Sequence, residues 1–175
     1  MTRVDPMMKM VQPLTAALAK IFIPRSYTRE GSKTLTAFFF VFQETFVIRW
    51  LAMRIFLMIG ALLGFSGVAA GAFGTHGLRE KLSPEMLDIF ETGVRYQMYH
   101  ALALLTVAWL ADRSPSQPAQ LAGWFFITGT VVFSGTLYIL SLTGVRGWGA
   151  VTPLGGLGLV AGWVCMMWAA WMMPR

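Results

Sequence analysis

Residues 55–73, IFLMIGALLGFSGVAAGAF, carry no charge and are about as long as a helix must be to cross roughly 30 Å of hydrocarbon. Inside lipid a single segment can satisfy its own backbone hydrogen bonds only as a helix, so this stretch fixes the class of fold. Three further apolar stretches follow, at about 96–111, 121–142 and 151–173, separated by short connections. The expected architecture is all-α, an integral membrane four-helix bundle over residues 53–175. The composition agrees: only 13% of residues are charged and 56% are hydrophobic, against roughly a quarter charged in a soluble domain.

The second span is short, but Ser83-Pro84-Glu85 supplies an N-cap hydroxyl, a proline at the first helical position and an acid at the positive end of the dipole. The helix is therefore expected to begin near Pro84. Leu87, Phe90, Val94 and Met98 recur at helical spacing, while Glu85, Asp88, Glu91 and Arg95 fall elsewhere. That pattern predicts an interfacial amphipathic segment between spans 1 and 2. Asp112-Arg-Ser-Pro-Ser-Gln-Pro118 and Gly144-Val-Arg-Gly-Trp-Gly149 punctuate the later spans. Trp109, Trp124, Trp148, Trp168 and Trp171 lie near span ends, where indole rings favour the lipid interface; Trp163 lies deeper, as a packing residue.

The net charge of +6 gathers on the flanks of the spans rather than in a nucleic-acid-binding stripe. With four spans, Arg3, Lys9, Lys20, Arg25, Arg29, Lys33, Arg49, Arg54, Arg113 and Arg175 share one side, against Arg79, Lys81, Arg95 and Arg146. That asymmetry predicts cytoplasmic termini. Residues 1–52 read as an N-terminal extension, basic to about residue 34 and then apolar but interrupted by Gln43, Glu44 and Arg49. A fifth span there would bear roughly 2.5–3.5 kcal/mol for each central charge. An interfacial helix held by Phe38, Phe39, Phe40 and Phe42, or a translation start at Met53, are the competing readings, and Ala70-Gly-Ala72 also fits a signal-peptidase site.

Gly60, Gly64, Gly67, Gly71 and Gly74 recur at steps of four and three, forming one seam that lets another backbone approach closely. Gly155, Gly158 and Gly162 form a shorter version in the fourth span, and Gly155-Gly156 is expected to bring that helix against the first. Tight packing, within the bundle or against a second copy or another membrane protein, accounts for the seams more simply than a ligand groove does. Phe65-Ser-Gly67 and Phe133-Ser-Gly135 hint at two related helical pairs.

His76 and His100 are the only histidines, and both are expected near one membrane face. Tyr96 lies one turn before His100, Glu91 and Arg95 are spaced for an i,i+4 ion pair, and Gln97 and Tyr99 add hydrogen-bonding capacity. Such a cluster can handle protons or bind a metal, quinone or lipid headgroup. A hydrogen-bond network linking helices is the simpler account, because two histidines without a nearby cysteine or second acid make a poor metal site. The single Cys165 sits in an apolar run.

Gly71-Ala-Phe-Gly-Thr-His-Gly-Leu78, Phe90-Glu-Thr-Gly-Val-Arg-Tyr-Gln-Met-Tyr-His100, Phe133-Ser-Gly-Thr-Leu-Tyr138 and Thr152-Pro-Leu-Gly-Gly156, in this order, closely resemble the transmembrane protein 256 family, also called YgdD-like or domain of unknown function 423. The resemblance covers about residues 53–173 and departs from the usual pattern at Thr75 and Thr136, where Ala and Ser are usual. It implies a multi-pass protein of the bacterial inner membrane with no established enzymatic activity and no cofactor. A scaffold, accessory subunit or lipid-contacting protein is the reading adopted, and a small transporter or channel built around the two histidines is the alternative. No nucleophile-and-base set marks an enzyme.

Overall fold

In a computed structural model the backbone is described for residues 29–173 and side chains for residues 50–173. Four helices account for nearly all of it: α1 (Arg29–Phe73), α2 (Pro84–Arg113), α3 (Gln117–Thr143) and α4 (Thr152–Trp171). A π-helical turn, Gly74–Leu78, follows α1, and a 3-10 turn, Arg146–Ala150, precedes α4. Residues 46–173 form one compact unit, and the described helix before residue 46 belongs to a separate one. Residues 35–52 are helical as part of α1. The side chains of Phe38 to Phe42, Gln43, Glu44 and Arg49, and everything before Arg29, lie outside the described residues.

The helix ends follow the local signals. Ser83 Oγ accepts from the Met86 amide at 3.3 Å, with Pro84 opening α2. Ser116 does the same for α3 through the Ala119 amide at 3.4 Å. α3 stops at Gly144, whose φ of 71° is the left-handed conformation that glycine adopts without strain. Pro153 lies in the first turn of α4, where its missing N–H costs nothing.

Among the described residues, Trp50–Leu78, Gln117–Thr143 and Arg146–Trp171 are long and apolar enough to cross a membrane. α2 falls short of that measure because Glu85, Asp88, Glu91 and Arg95, all exposed, crowd its first half, and Gln97, His100, Asp112 and Arg113 interrupt the rest. Opposite them Phe90, Gly93, Gln97 and His100 are buried. α2 is thus amphipathic at its start and continuously apolar only from Ala101 to Ala111, Thr106 apart. The outward faces carry large apolar side chains, with Met58 71% and Phe65 75% exposed; such a surface has lipid, not water, as its natural surroundings.

Lipid tails are as apolar as leucine, so helices in a bilayer associate through close packing rather than water exclusion. The α1 seam packs against α2 running antiparallel. A Cβ on Gly60 would stand 3.2 Å from the Ala101 carbonyl, one on Gly67 2.7 Å from Met98 Sδ, and one on Gly74 3.1 Å from the Phe90 ring. Gly71 meets Val94 and Gly64 meets Ala101 in between. The α4 glycines approach α3, not α1 as their sequence suggested. A Cβ on Gly155 would run into the backbone of Phe133, one on Gly158 would stand 3.3 Å from Gly129 Cα, and one on Gly162 2.6 Å from the Phe126 ring. The short α3–α4 connection makes those two helices antiparallel neighbours.

α1 reaches α3 through Phe56, whose ring fills the notch at Gly123 and meets Trp124 edge-on at 5.8 Å. Around it Ala103, Leu104, Val107, Ala108, Ala122, Phe126 and Leu159 form the main apolar core. The two Phe-Ser-Gly triplets are not equivalent: Gly67 is pressed against Met98, while Gly135 has open space around it.

These contacts predict that Gly155→Ala, which drives a methyl into backbone, destabilises the protein by about 1–3 kcal/mol. Gly135→Ala should be neutral or stabilise by up to about 1 kcal/mol. Unfolding of both variants in detergent checks this; equal stabilities would contradict the α3–α4 packing.

Candidate functional site

The apolar core fills the half of the bundle near the α2–α3 connection, and the polar side chains gather in the other half. Gln97, three turns into α2, is their centre. Its Nε2 donates to the Leu63 carbonyl and to Ser66 Oγ of α1, both at 2.8 Å. Its Oε1 accepts from the Tyr138 hydroxyl of α3 at 2.9 Å. One buried amide therefore ties three helices together with every N–H and its carbonyl engaged. Gly93, one turn earlier on α2, makes this possible: a Cβ there would stand 2.9 Å from the Tyr138 ring, so only glycine leaves that ring room to lie across α2. Phe90 supports the same ring at 4.9 Å between centroids.

His100, one turn further on, joins α2 to α4. Its Nδ1 donates to the Tyr96 carbonyl at 2.7 Å, and its Nε2 accepts from Trp163 Nε1 at 3.2 Å. An indole N–H can only donate, so the Trp163 contact fixes the neutral imidazole with its proton on Nδ1. Phe126, at 5.5 Å, and Trp163, at 6.1 Å, enclose the ring. Tyr96 stacks on it at 6.1 Å and lies 4.5 Å from Phe133. A third tie joins α3 to α4 through the hydroxyls of Thr136 and Thr152, 2.9 Å apart.

The two histidines do not converge. His76 is exposed on the π-helical turn, whereas His100 is buried among rings of α2, α3 and α4. The reason is the start of α2 at Pro84: sixteen residues at 1.5 Å each carry His100 about 24 Å along the helix axis. Nor do Glu91 and Arg95 pair. Arg95 turns instead to Asp88 Oδ1 at 3.5 Å and Thr92 Oγ1 at 3.1 Å, and this exposed pair is of little energetic weight. Tyr96 and Tyr99 border a cleft beside His100. No group of three His, Cys, Asp or Glu side chains able to hold a metal ion occurs among the described residues.

Sequence reasoning missed Tyr138, Ser66, Gly93 and the polar role of Trp163. Trp163 offered a signal, because an indole N–H deep in a span needs an acceptor; Tyr138 offered the same through its hydroxyl. Thr130 Oγ1 and Ser134 Oγ are buried on one face of α3 without a hydrogen-bond partner among the described residues. Ser66, Thr106, Thr128 and Thr143 bond a carbonyl four residues back, an arrangement open to any helical Ser or Thr.

The fold and its polar layer define a small α-helical membrane protein in which side chains from all four helices are hydrogen-bonded to or packed on one another. The family model described as "Protein of unknown function (DUF423)" matches residues 70–156. The UPF0382 membrane protein YwdK of Bacillus subtilis (strain 168) is 45% identical over 119 residues, which cover 67% of this chain and 97% of that relative. The UPF0382 membrane protein SH2409 of Staphylococcus haemolyticus is 44% identical over 115 residues, 66% of this chain and 93% of the relative. A Staphylococcus aureus member, SAB0533, is 41% identical over the same span. The chain belongs to this family of membrane proteins. No solved structure matches it.

Proposed function

We propose that this protein acts by binding and assembly within the membrane, as a structural, accessory or lipid-contacting component rather than as an enzyme. The observation that carries the reading is the use made of the buried polar side chains. Gln97 spends both faces of its amide on α1 and α3, and His100 spends both ring nitrogens on Tyr96 and Trp163. A group whose donors and acceptors are already taken is a fastener, and to serve a substrate it would first have to break a bond that hydrocarbon cannot replace.

On this reading the protein works in the bacterial inner membrane, with lipid and a second copy or another membrane protein as partners. The cation asymmetry supports cytoplasmic termini. A reporter fused after Arg175 that became active only when exported would contradict that orientation.

Thr130 and Ser134 favour the second reading, a small transporter or channel, since buried hydroxyls without partners can line a polar path. Purified protein in proteoliposomes should pass neither protons nor potassium above the vesicle background, in wild type and His100→Ala alike. Flux that disappears on His100→Ala would establish the transporter reading instead.

A further inference from the structure

Beside His100 a cleft of about 490 Å³ opens between α2, α3 and α4, within the roughly 300–1,000 Å³ typical of ligand sites. Tyr96, Tyr99, Phe133, Leu159, Val160 and Trp163 line it together with the imidazole. Its mouth faces outward: Tyr99 is 59%, Val160 61% and Trp163 47% exposed. Its floor is closed, with Leu159 and His100 buried. From the geometry we infer that this cleft holds one acyl chain of a membrane glycerolipid, whose ester carbonyl accepts hydrogen bonds from the phenols at its rim.

Three observations select that occupant. The side-chain nitrogens that line the cleft, those of His100 and Trp163, are engaged by the Tyr96 carbonyl and by each other, so the body of the cleft offers mainly hydrocarbon contact. The flanking faces expose Leu157, Val164 and Met167, so the medium at the mouth is lipid chains. The rim, by contrast, carries the hydroxyls of Tyr96 and Tyr99, neither with a hydrogen-bond partner among the described residues, immediately after the exposed Arg95 that ends the charged part of α2. Tyrosines at that level place the phenol oxygen toward the lipid headgroup region. An apolar body with donors at one end fits a molecule with an acceptor above a hydrocarbon chain. Along α4 the groove runs from Gly156 to Trp163, about 10 Å at 1.5 Å per residue, which suits a chain lying along the helix.

This inference names lipid as the partner within the binding role proposed above. The test distinguishes the two: flux through an unliganded protein would end the binding role, whereas the outcomes below bear on the cleft. The protein is reconstituted in nanodiscs of phosphatidylethanolamine and phosphatidylglycerol with added ubiquinone, then released for native mass spectrometry. One phospholipid per protomer is expected to survive release. Val160→Trp, which fills the cleft from an exposed position, should lower that retention at least tenfold, while Leu62→Trp on the exposed face of α1 leaves it unchanged. The double variant Tyr96→Phe, Tyr99→Phe, which preserves ring shape, should lower it severalfold. Equal retention in Val160→Trp and wild type overturns the inference, as does loss in both tryptophan variants. Retention of ubiquinone in place of phospholipid, or of a second protomer displaced by Val160→Trp, overturns it as well.

Discussion

A polar side chain inside a bilayer has no water to fall back on, and the arrangement of this bundle follows from where Gln97, His100 and Thr136 find their partners. Gln97 shows how far that reaches. To engage its amide fully, α2 must lie against the Leu63–Ser66 turn of α1 on one side and within reach of Tyr138 of α3 on the other. Glycine at Gly67 and Gly93 leaves room for this: a Cβ at Gly67 would push the flexible Met98 side chain aside, and one at Gly93 would stand 2.9 Å from the Tyr138 ring. The glycine seam and the buried amide are two halves of one device: small residues bring the backbones close, and closeness lets one side chain tie three helices.

The four segments that carry the family resemblance make a connected set in space. Gly74 lies against Phe90, Phe90 and Gln97 meet Tyr138, Tyr96 stacks near Phe133, and Thr136 bonds Thr152. This layer occupies the end of the bundle where the π-helical turn and the start of α2 lie. The other end holds the apolar core around Phe56, Leu104 and Phe126, and cations there mark the boundary, with Arg54 lying 3.6 Å over the Trp50 ring. One half is fastened by hydrogen bonds and the other by fitted rings.

Helix positions were legible in the sequence because apolar length, capping serines and prolines act locally; Ser83-Pro84 and Gly144 behave as their chemistry dictates. The amphipathic start of α2 was legible for the same reason, from Phe90 against Asp88 and Glu91. Which glycines face which helix was not. Gly155 meets Phe133 because α4 folds back on α3, a fact about topology that spacing along one helix does not contain. The separation of the two histidines was not legible either: His76 stands exposed on the π-helical turn while His100 is buried among rings of three helices, a difference in burial set by packing rather than by spacing. Tyr138 and Trp163 went unnoticed as partners because each is one aromatic among many; only the third dimension puts the indole N–H on His100.

The central claim is that the polar groups of Gln97 and His100 are consumed by the protein itself, and His100 tests it most directly. In the variant His76→Gln, His100 is the sole histidine, so nitrogen-15 NMR of the labelled imidazole in nanodiscs reads one ring. The account predicts a neutral ring protonated at Nδ1, with Nε2 an acceptor whose signal moves when Trp163 is replaced by phenylalanine. A ring protonated at Nε2, or an Nε2 signal indifferent to Trp163→Phe, would contradict it.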